Sequence, residues 1–293
     1  MFRIRVACVL LFLLLPVVVA GTYPLTVTDD LGRQLSFERA PLRIVSLAPS
    51  HTESVCALGA CDSLVAVDTN SDFPPGVEDL RLVGDAFAPS VEAIVALEPD
   101  LVLADEYSSV HVALEPLGIT VYAGTPQTYD EVLEFLRLLG AILGKDAQAA
   151  ELIADIDATV ATVAERVGDA PRPTVFIELD PTPYSVGPAS YLGILVDRAG
   201  GANIVTASMG DFPQVDPEFI VTSDPDVIVL TDAPFGETSA TVAARPGWGR
   251  IAAVADGRVY ELSVEEANLL SRAGPRIGEA IALLARLFHP ELF

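Results

Sequence analysis

Apolar positions along the chain fall into short blocks separated by turn residues, and two of these blocks repeat each other. Glu92, Ile94, Val95, Pro99 and Asp100 are followed by the apolar run Leu101–Leu103. Glu218, Ile220, Val221, Pro225 and Asp226 are followed by Val227–Val229, at an offset of 126 positions (218 minus 92). Each copy predicts a short helix, a Pro-Asp turn and a buried parallel strand. Repetition across the midpoint predicts two similar lobes with room for a ligand between them.

The remaining pattern extends this reading. Alternation at Leu25, Val27, Leu35 and Phe37 around Asp29, Asp30 and Gly32 predicts a β-hairpin. Further strands are expected at 43–47, 64–67, 119–122, 174–177 and 258–261. Helices are expected from Thr52 to about Leu58, over 130–143, 146–167 and 191–199, and from Gly274 to Phe288. Ser50 with Glu53 three residues on fits a capping box for the first of these. The 146–167 helix would span roughly 33 Å, enough to bridge two lobes. Strand and helix alternate in both halves, so the expected fold class is α/β: two Rossmann-like lobes with parallel sheets joined by one long backbone helix. The expected division is a leader at 1–20, a hairpin segment at 21–41, an N-terminal lobe at 42–144, the connecting helix at 145–170 and a C-terminal lobe at 171–293. Ligands of such sheets bind beyond the carboxyl ends of the strands. Those ends are the loops 48–52, 68–76, 84–88, 104–108, 180–187 and 208–213.

Composition adds a location. Arg3 and Arg5, the apolar run Val6–Leu15 and the small residues before Gly21 fit a secretory signal peptide cut after Ala20; a retained membrane anchor is the alternative. Removing Arg3 and Arg5 takes the 17 basic residues to 15 against 41 acidic ones, a net charge of −26. Such a chain repels nucleic acid and anionic lipid. Cys56 and Cys61 remain after the leader. Export permits a disulfide between them, and two small buried apolar side chains is the rival reading. No Cys/His cluster has metal-ligand spacing, so no metal site and no cofactor are expected.

The loops hold little chemistry for catalysis. No Ser/His/Asp set assembles by spacing, and neither Gly-x-Ser-x-Gly nor a phosphate-binding loop occurs. His51 at a strand end is either a metal or iron ligand or a hydrogen-bonded structural residue. Phe73, Phe87, Tyr107, Tyr184 and Phe212 sit in strand-end loops, where aromatic faces suit a large, partly apolar ligand. The competing reading is that each plugs its own lobe's core. Arg272 offers the site a cation. Glu92 and Glu218, in the first turns of their helices, are either ordinary helix-start acids or a symmetric pair that docks a basic two-fold partner.

Four segments carry a resemblance: Arg43–Glu53, Ser71–Pro75, Val91–Val102 and Arg272–Ile277. Together they resemble the periplasmic solute-binding proteins of ABC importers for vitamin B12, haem and iron-siderophores, most of all the cobalamin-binding members. The resemblance covers about residues 42–290. It implies two α/β lobes with little hinge motion, no enzymatic activity, and a monomer whose partners are a ligand, an ABC permease dimer and its cytoplasmic ATPase. It implies that Glu92 and Glu218 meet arginines on the permease. By motif position it assigns Pro49, Phe87, Tyr184, Phe212, Asn268 and Arg272 to ligand contact; Ser50, His51, Phe73 and Tyr107 complete the candidate set. The expected cargo is a corrinoid, with haem or a ferric siderophore as the alternative and an exported two-lobed enzyme as a remote one. Tryptophans expected around a corrin ring are missing, and Asp105, Phe212 and Asn70 stand in their region.

Overall fold

The computed structural model describes residues 23–293; the leader reading falls on residues outside this range. Two strands, β1 (Leu25–Thr28) and β2 (Gln34–Phe37), form the antiparallel hairpin. Five strands follow: β3 (Ile44–Ser46), β4 (Leu64–Val67), β5 (Arg81–Leu82), β6 (Leu101–Ala104) and β7 (Val121–Ala123). They make one parallel sheet in the order β5-β4-β3-β6-β7. After two helices, β8 (Thr174–Glu178), β9 (Ala202–Asn203), β10 (Val227–Leu230) and β11 (Val259–Glu261) make a second parallel sheet in the order β9-β8-β10-β11. Central strands are covered on both faces: β6 and β10 have no exposed residue. This is why their sequences are continuously apolar rather than alternating.

The repeat is structural down to the backbone. Its helices are Val91–Val95 and Pro217–Ser223, capped by Ser90 and Asp216, which accept from the amides of Ala93 and Glu218. Both end in a left-handed non-glycine residue at the same repeat position, Glu98 and Asp224, each at φ 46°. The Pro-Asp turns have a stated job. Asp100 Oδ2 accepts from the amides of Leu42 and Arg43, at 2.9 and 3.1 Å. Asp226 Oδ2 accepts from the amide and hydroxyl of Thr174, each at 2.7 Å. In each lobe the turn aspartate pins the start of an interior strand, β3 or β8, satisfying donors at that strand's N-terminal end.

Two helices join the sheets. Tyr129–Leu143 ends at Gly144, whose φ of 64° suits a glycine, and Asp146–Val167 runs for 22 residues. The first of these has two apolar faces. Val132, Leu133 and Leu136 enter the core that contains Val175 and Val229 of the second sheet. Phe135, Leu139 and Ile142 enter the core that contains Ile44 and Leu101 of the first. The 100° turn per residue sends these sets in different directions. Both lobes therefore bury surface against one helix, and the connection is broader than a single long helix alone. Among the described residues no helix is long and apolar enough to cross a membrane.

The first helix of the N-terminal lobe differs from its expected start. It runs Pro49–Ala57 with Ala48 before it, and no side chain caps it. Pro49 occupies the first turn, where a missing N–H is harmless. Ser50 and Glu53 make no capping box; Glu53 is used elsewhere. Cys56, near the end of this helix, is disulfide-bonded to Cys61.

Candidate functional site

A cleft of about 740 Å³ opens where the carboxyl ends of the two sheets meet. In the first sheet, β3 and β6 leave in opposite directions, and the loops after them contribute Ala48, Pro49, Ser50 and Asp105. This is the crevice where parallel sheets take ligands. Phe87 projects from a tight turn that begins at Gly84. There φ is 103°, and a Cβ would approach Ala88 O to 2.9 Å, so glycine is required. The C-terminal lobe supplies Leu179, Val186, Tyr191 and Phe212, and then Val264, Asn268 and Arg272.

Six of the ten candidate ligand residues therefore share one cleft: Pro49, Ser50, Phe87, Phe212, Asn268 and Arg272. Phe87 and Phe212 are 77% and 62% exposed, which leaves their faces free for a ligand. The other four candidates do not line it, and their surroundings say why. Phe73 is covered by the Arg276 guanidinium, 3.9 Å from its ring centre. Tyr107 is exposed and is not among the lining residues, although its amide donates to Asp105 on the wall. Tyr184, 43% exposed, is not among the residues that line the cleft; its backbone bridges to Asp180 and Gln214.

His51 faces inward. It is fully buried against the Phe135 ring, at 5.0 Å between centroids. Neither ring nitrogen meets a hydrogen-bond partner among the described residues, although the Gly124 backbone and the Asp105 charge are near enough to favour the protonated ring. Burial outweighs both and pushes its pKa down to about 4. Buried against Phe135 and not among the lining residues, the ring presents no nitrogen to the cleft.

Arg272 lines the cleft but is not a free cation. Its Nη1 donates to Glu53 Oε1 at 2.8 Å and lies 2.7 Å from Asp72 Oδ1; its Nη2 donates to the carbonyl of Asn70 at 3.1 Å. Arg276 reaches the same glutamate, Nε to Oε2 at 2.8 Å and Nη2 to Oε1 at 2.9 Å. Asn268 Nδ2 donates to Asp72 Oδ2 at 3.2 Å. Glu53 and Asp72 come from the first lobe, and Asn268, Arg272 and Arg276 from the second. The two charge pairs form a neutral cluster across the base of the cleft. Glu53 carried no signal for this role, because its partners lie 219 and 223 positions away.

With Arg272 paired to Glu53 and Asp72, the acidic groups left on the wall are Asp68 and Asp105. Burial pushes the Asp68 carboxyl up, against hydrogen bonds from Ser71 and the Asn70 amide. Asp105 accepts from the Thr125 hydroxyl at 3.0 Å and the Tyr107 amide at 2.7 Å. The arrangement can hold an apolar, planar surface between Phe87 and Phe212 and accept hydrogen bonds around its edge. It contains no nucleophile paired with a base. Tyr191, Val186, Val264 and the segment Thr125–Gln127 also line the cleft and escaped sequence reading. Val264, Thr125 and Gln127 lie in loops or helix starts outside the strand-end loops first considered.

Glu92 and Glu218 lie away from the cleft, exposed at the starts of their repeat helices. Two parallel α/β lobes that enclose a ligand-sized cleft have the architecture of a bilobed solute-binding protein. The sequence profile described as "Periplasmic binding protein" matches residues 44–265, and the chain belongs to that family. It is 32% identical to the "Uncharacterized ABC transporter substrate-binding lipoprotein YvrC" of Bacillus subtilis, over 92% of this chain and 87% of the relative. It is also 32% identical to a "Cobalamin-binding protein" of Halobacterium salinarum, over 92% of this chain and 75% of that one. Among solved structures, the periplasmic heme-binding protein RhuT from Roseiflexus sp. RS-1 superposes with a TM-score of 0.74 at 25% identity, covering 86% of this chain and 99% of that one. The chain is thus a substrate-binding component of an ABC importer, of an extracytoplasmic family.

The buried neutral His51 predicts a pH effect on stability. Its pKa rises from about 4 in the fold to about 6.5 on unfolding. Between these values the unfolded chain takes up a proton that the folded chain does not, so stability is lost as pH falls through the window. A shift of this size corresponds to about 3 kcal/mol. In urea unfolding, His51→Leu should gain about that much relative to the parent between pH 7 and pH 4. A difference between the two proteins that does not vary with pH contradicts the buried neutral imidazole.

Proposed function

We propose that the protein captures a corrinoid, a vitamin B12-like ligand, in the cleft between its lobes and delivers it to an ABC importer. The observation that carries this reading is the chemistry of the wall: two exposed Phe faces with carboxylates and Asn268 around them, and an Arg272 already neutralised by Glu53 and Asp72. A corrin is a broad, largely apolar macrocycle whose rim of amides donates hydrogen bonds, which those carboxylates accept. The cobalamin-binding relative supports the same ligand. A cleft of this volume is within the roughly 300–1,000 Å³ of small-molecule sites.

Haem or a ferric siderophore is the second reading, favoured by the likeness to RhuT. Their carboxylate or catecholate charges call for free cations. Haem also calls for an axial ligand, whereas His51 is in the core and Tyr107 is off the wall. The corrinoid therefore fits better.

The rest of the reading follows the transport role. The leader 1–20 directs export, with the 42–144 and 171–293 segments as lobes and 145–170 between them. The protein acts as a monomer on a permease dimer driven by a cytoplasmic ATPase. Glu92 and Glu218, equivalent in the repeat and each exposed, present matching carboxylates to a two-fold surface.

Calorimetric titration with cyanocobalamin should give one-to-one binding tighter than about 1 μM, or about −8 kcal/mol. No heat at millimolar ligand rules the corrinoid out, and a Soret shift with haemin would then favour the second reading. For docking, the double change Glu92→Arg and Glu218→Arg should leave ligand affinity within about twofold and lower uptake in a reconstituted importer by at least about tenfold, a barrier of about 1.4 kcal/mol. Uptake that survives the double change removes these residues from the docking face.

A further inference from the structure

The second sheet carries a group of ionisable side chains apart from the cleft wall. Glu178 closes β8, and Asp232 follows β10, the neighbouring parallel strand. The chain leaves these two strands in opposite directions, so both residues stand at the reversal point of the sheet order. Glu237 joins them from the turn after β10. One carboxylate oxygen from each lies within 4.8 Å of the others.

Arg245 is the cation in contact with this group. It donates to both oxygens of Glu178 at 2.6 Å and to Glu237 Oε1 at 2.9 Å. With all three carboxylates ionised, the one guanidinium leaves two negative charges uncompensated. Asp232 has no share in the guanidinium. Its residue is 4% exposed, and neither of its oxygens meets a hydrogen-bond partner among the described residues. An unpaired buried carboxylate is costly, and paired or metal-bound ones are the rule.

The fold itself does not ask for an acid here. By strand register and the repeat offset, the counterpart of Glu178 in the first sheet is Leu47, which is fully buried. An apolar side chain thus fills the equivalent place in the other lobe.

We propose that Glu178, Asp232 and Glu237 bind an oxygen-seeking divalent cation of the calcium type. One such ion, with bonds of about 2.3–2.6 Å, spans oxygen atoms up to about 5 Å apart. Its charge matches the two uncompensated negatives. A carboxylate-only set favours calcium or magnesium over zinc or copper, and the wider reach favours calcium. Arg245 keeps its bonds to Glu178, since each carboxylate oxygen has a second lone pair. Access is from Glu237, whose side chain is 13% exposed, while that of Glu178 is fully buried. The ion ties the turn after β10 to the end of β8, and the residue after Glu178 is Leu179 on the cleft wall.

The chain's one Trp, Trp248, makes the site visible. The Arg245 guanidinium lies 4.5 Å from its ring centre, so a lanthanide among the carboxylates is close to an indole donor. Chelator-treated protein titrated with Tb3+ should show Trp-sensitised emission that Ca2+ competes away and Mg2+ displaces only at much higher concentration. Asp232→Asn and Glu237→Gln should each weaken the Tb3+ affinity at least tenfold with an unchanged circular dichroism spectrum. No sensitised emission from the parent, or Tb3+ affinity in Glu237→Gln and Asp232→Asn equal to the parent's, overturns the site. Competition by Mg2+ equal to that by Ca2+ overturns the assignment to calcium.

Discussion

One carboxylate holds the two lobes in register. Glu53 of the first lobe receives Arg272 and Arg276 of the second, with both of its oxygens engaged. Its side chain is 2% exposed and those of the arginines 8% and 11%. Breaking a pair buried to this degree strands a charge and costs about 3–5 kcal/mol. The cluster also sets its neighbours. Arg276 lies over Phe73, Arg272 gathers Asp72 and the Asn70 carbonyl, and Asn268 donates to Asp72. The 70–73 loop of one lobe and the 268–276 segment of the other thus form a single base for the cleft.

That constraint decides what the cleft can recognise. With Arg272 neutralised, anionic ligands lose the cation that the sequence offered them. Phe87, Phe212 and the carboxylates remain on the cleft wall. The same constraint argues for a preformed site. Helix Tyr129–Leu143 sends one apolar face into each lobe's core, so relative rotation of the lobes would open packed surface as well as separate buried ions. Binding to a preformed cleft avoids the ordering cost of a moving hinge.

The sequence was legible where periodicity and repetition carry the information. The repeat located both lobes, and the shared features of Ser90 with Asp216, Glu98 with Asp224 and Asp100 with Asp226 explain why it persists: each is a cap, a left-handed turn or a strand anchor. The long helix at 146–167 followed from its 3–4 residue apolar step. Side-chain direction was not legible. His51 stands at a strand end like Ser50, yet Ser50 lines the cleft and His51 packs on Phe135, because one residue along a helix turns the side chain by 100°. Glu53 has the spacing of a local cap, while its partners lie more than 200 positions away. Glu178, Asp232 and Glu237 are likewise scattered in sequence, and only the strand order brings them together.

The central claim is that buried ions across the cleft fix the lobes before ligand arrives. Spin labels at Val112→Cys and Ala240→Cys, one exposed position in each lobe, report the separation directly by pulsed electron resonance. The account predicts one narrow distance distribution whose mean moves by less than about 2 Å when cyanocobalamin binds, the behaviour of preorganised partners. A broad distribution in the free protein, or a shift of many ångströms on binding, would contradict it.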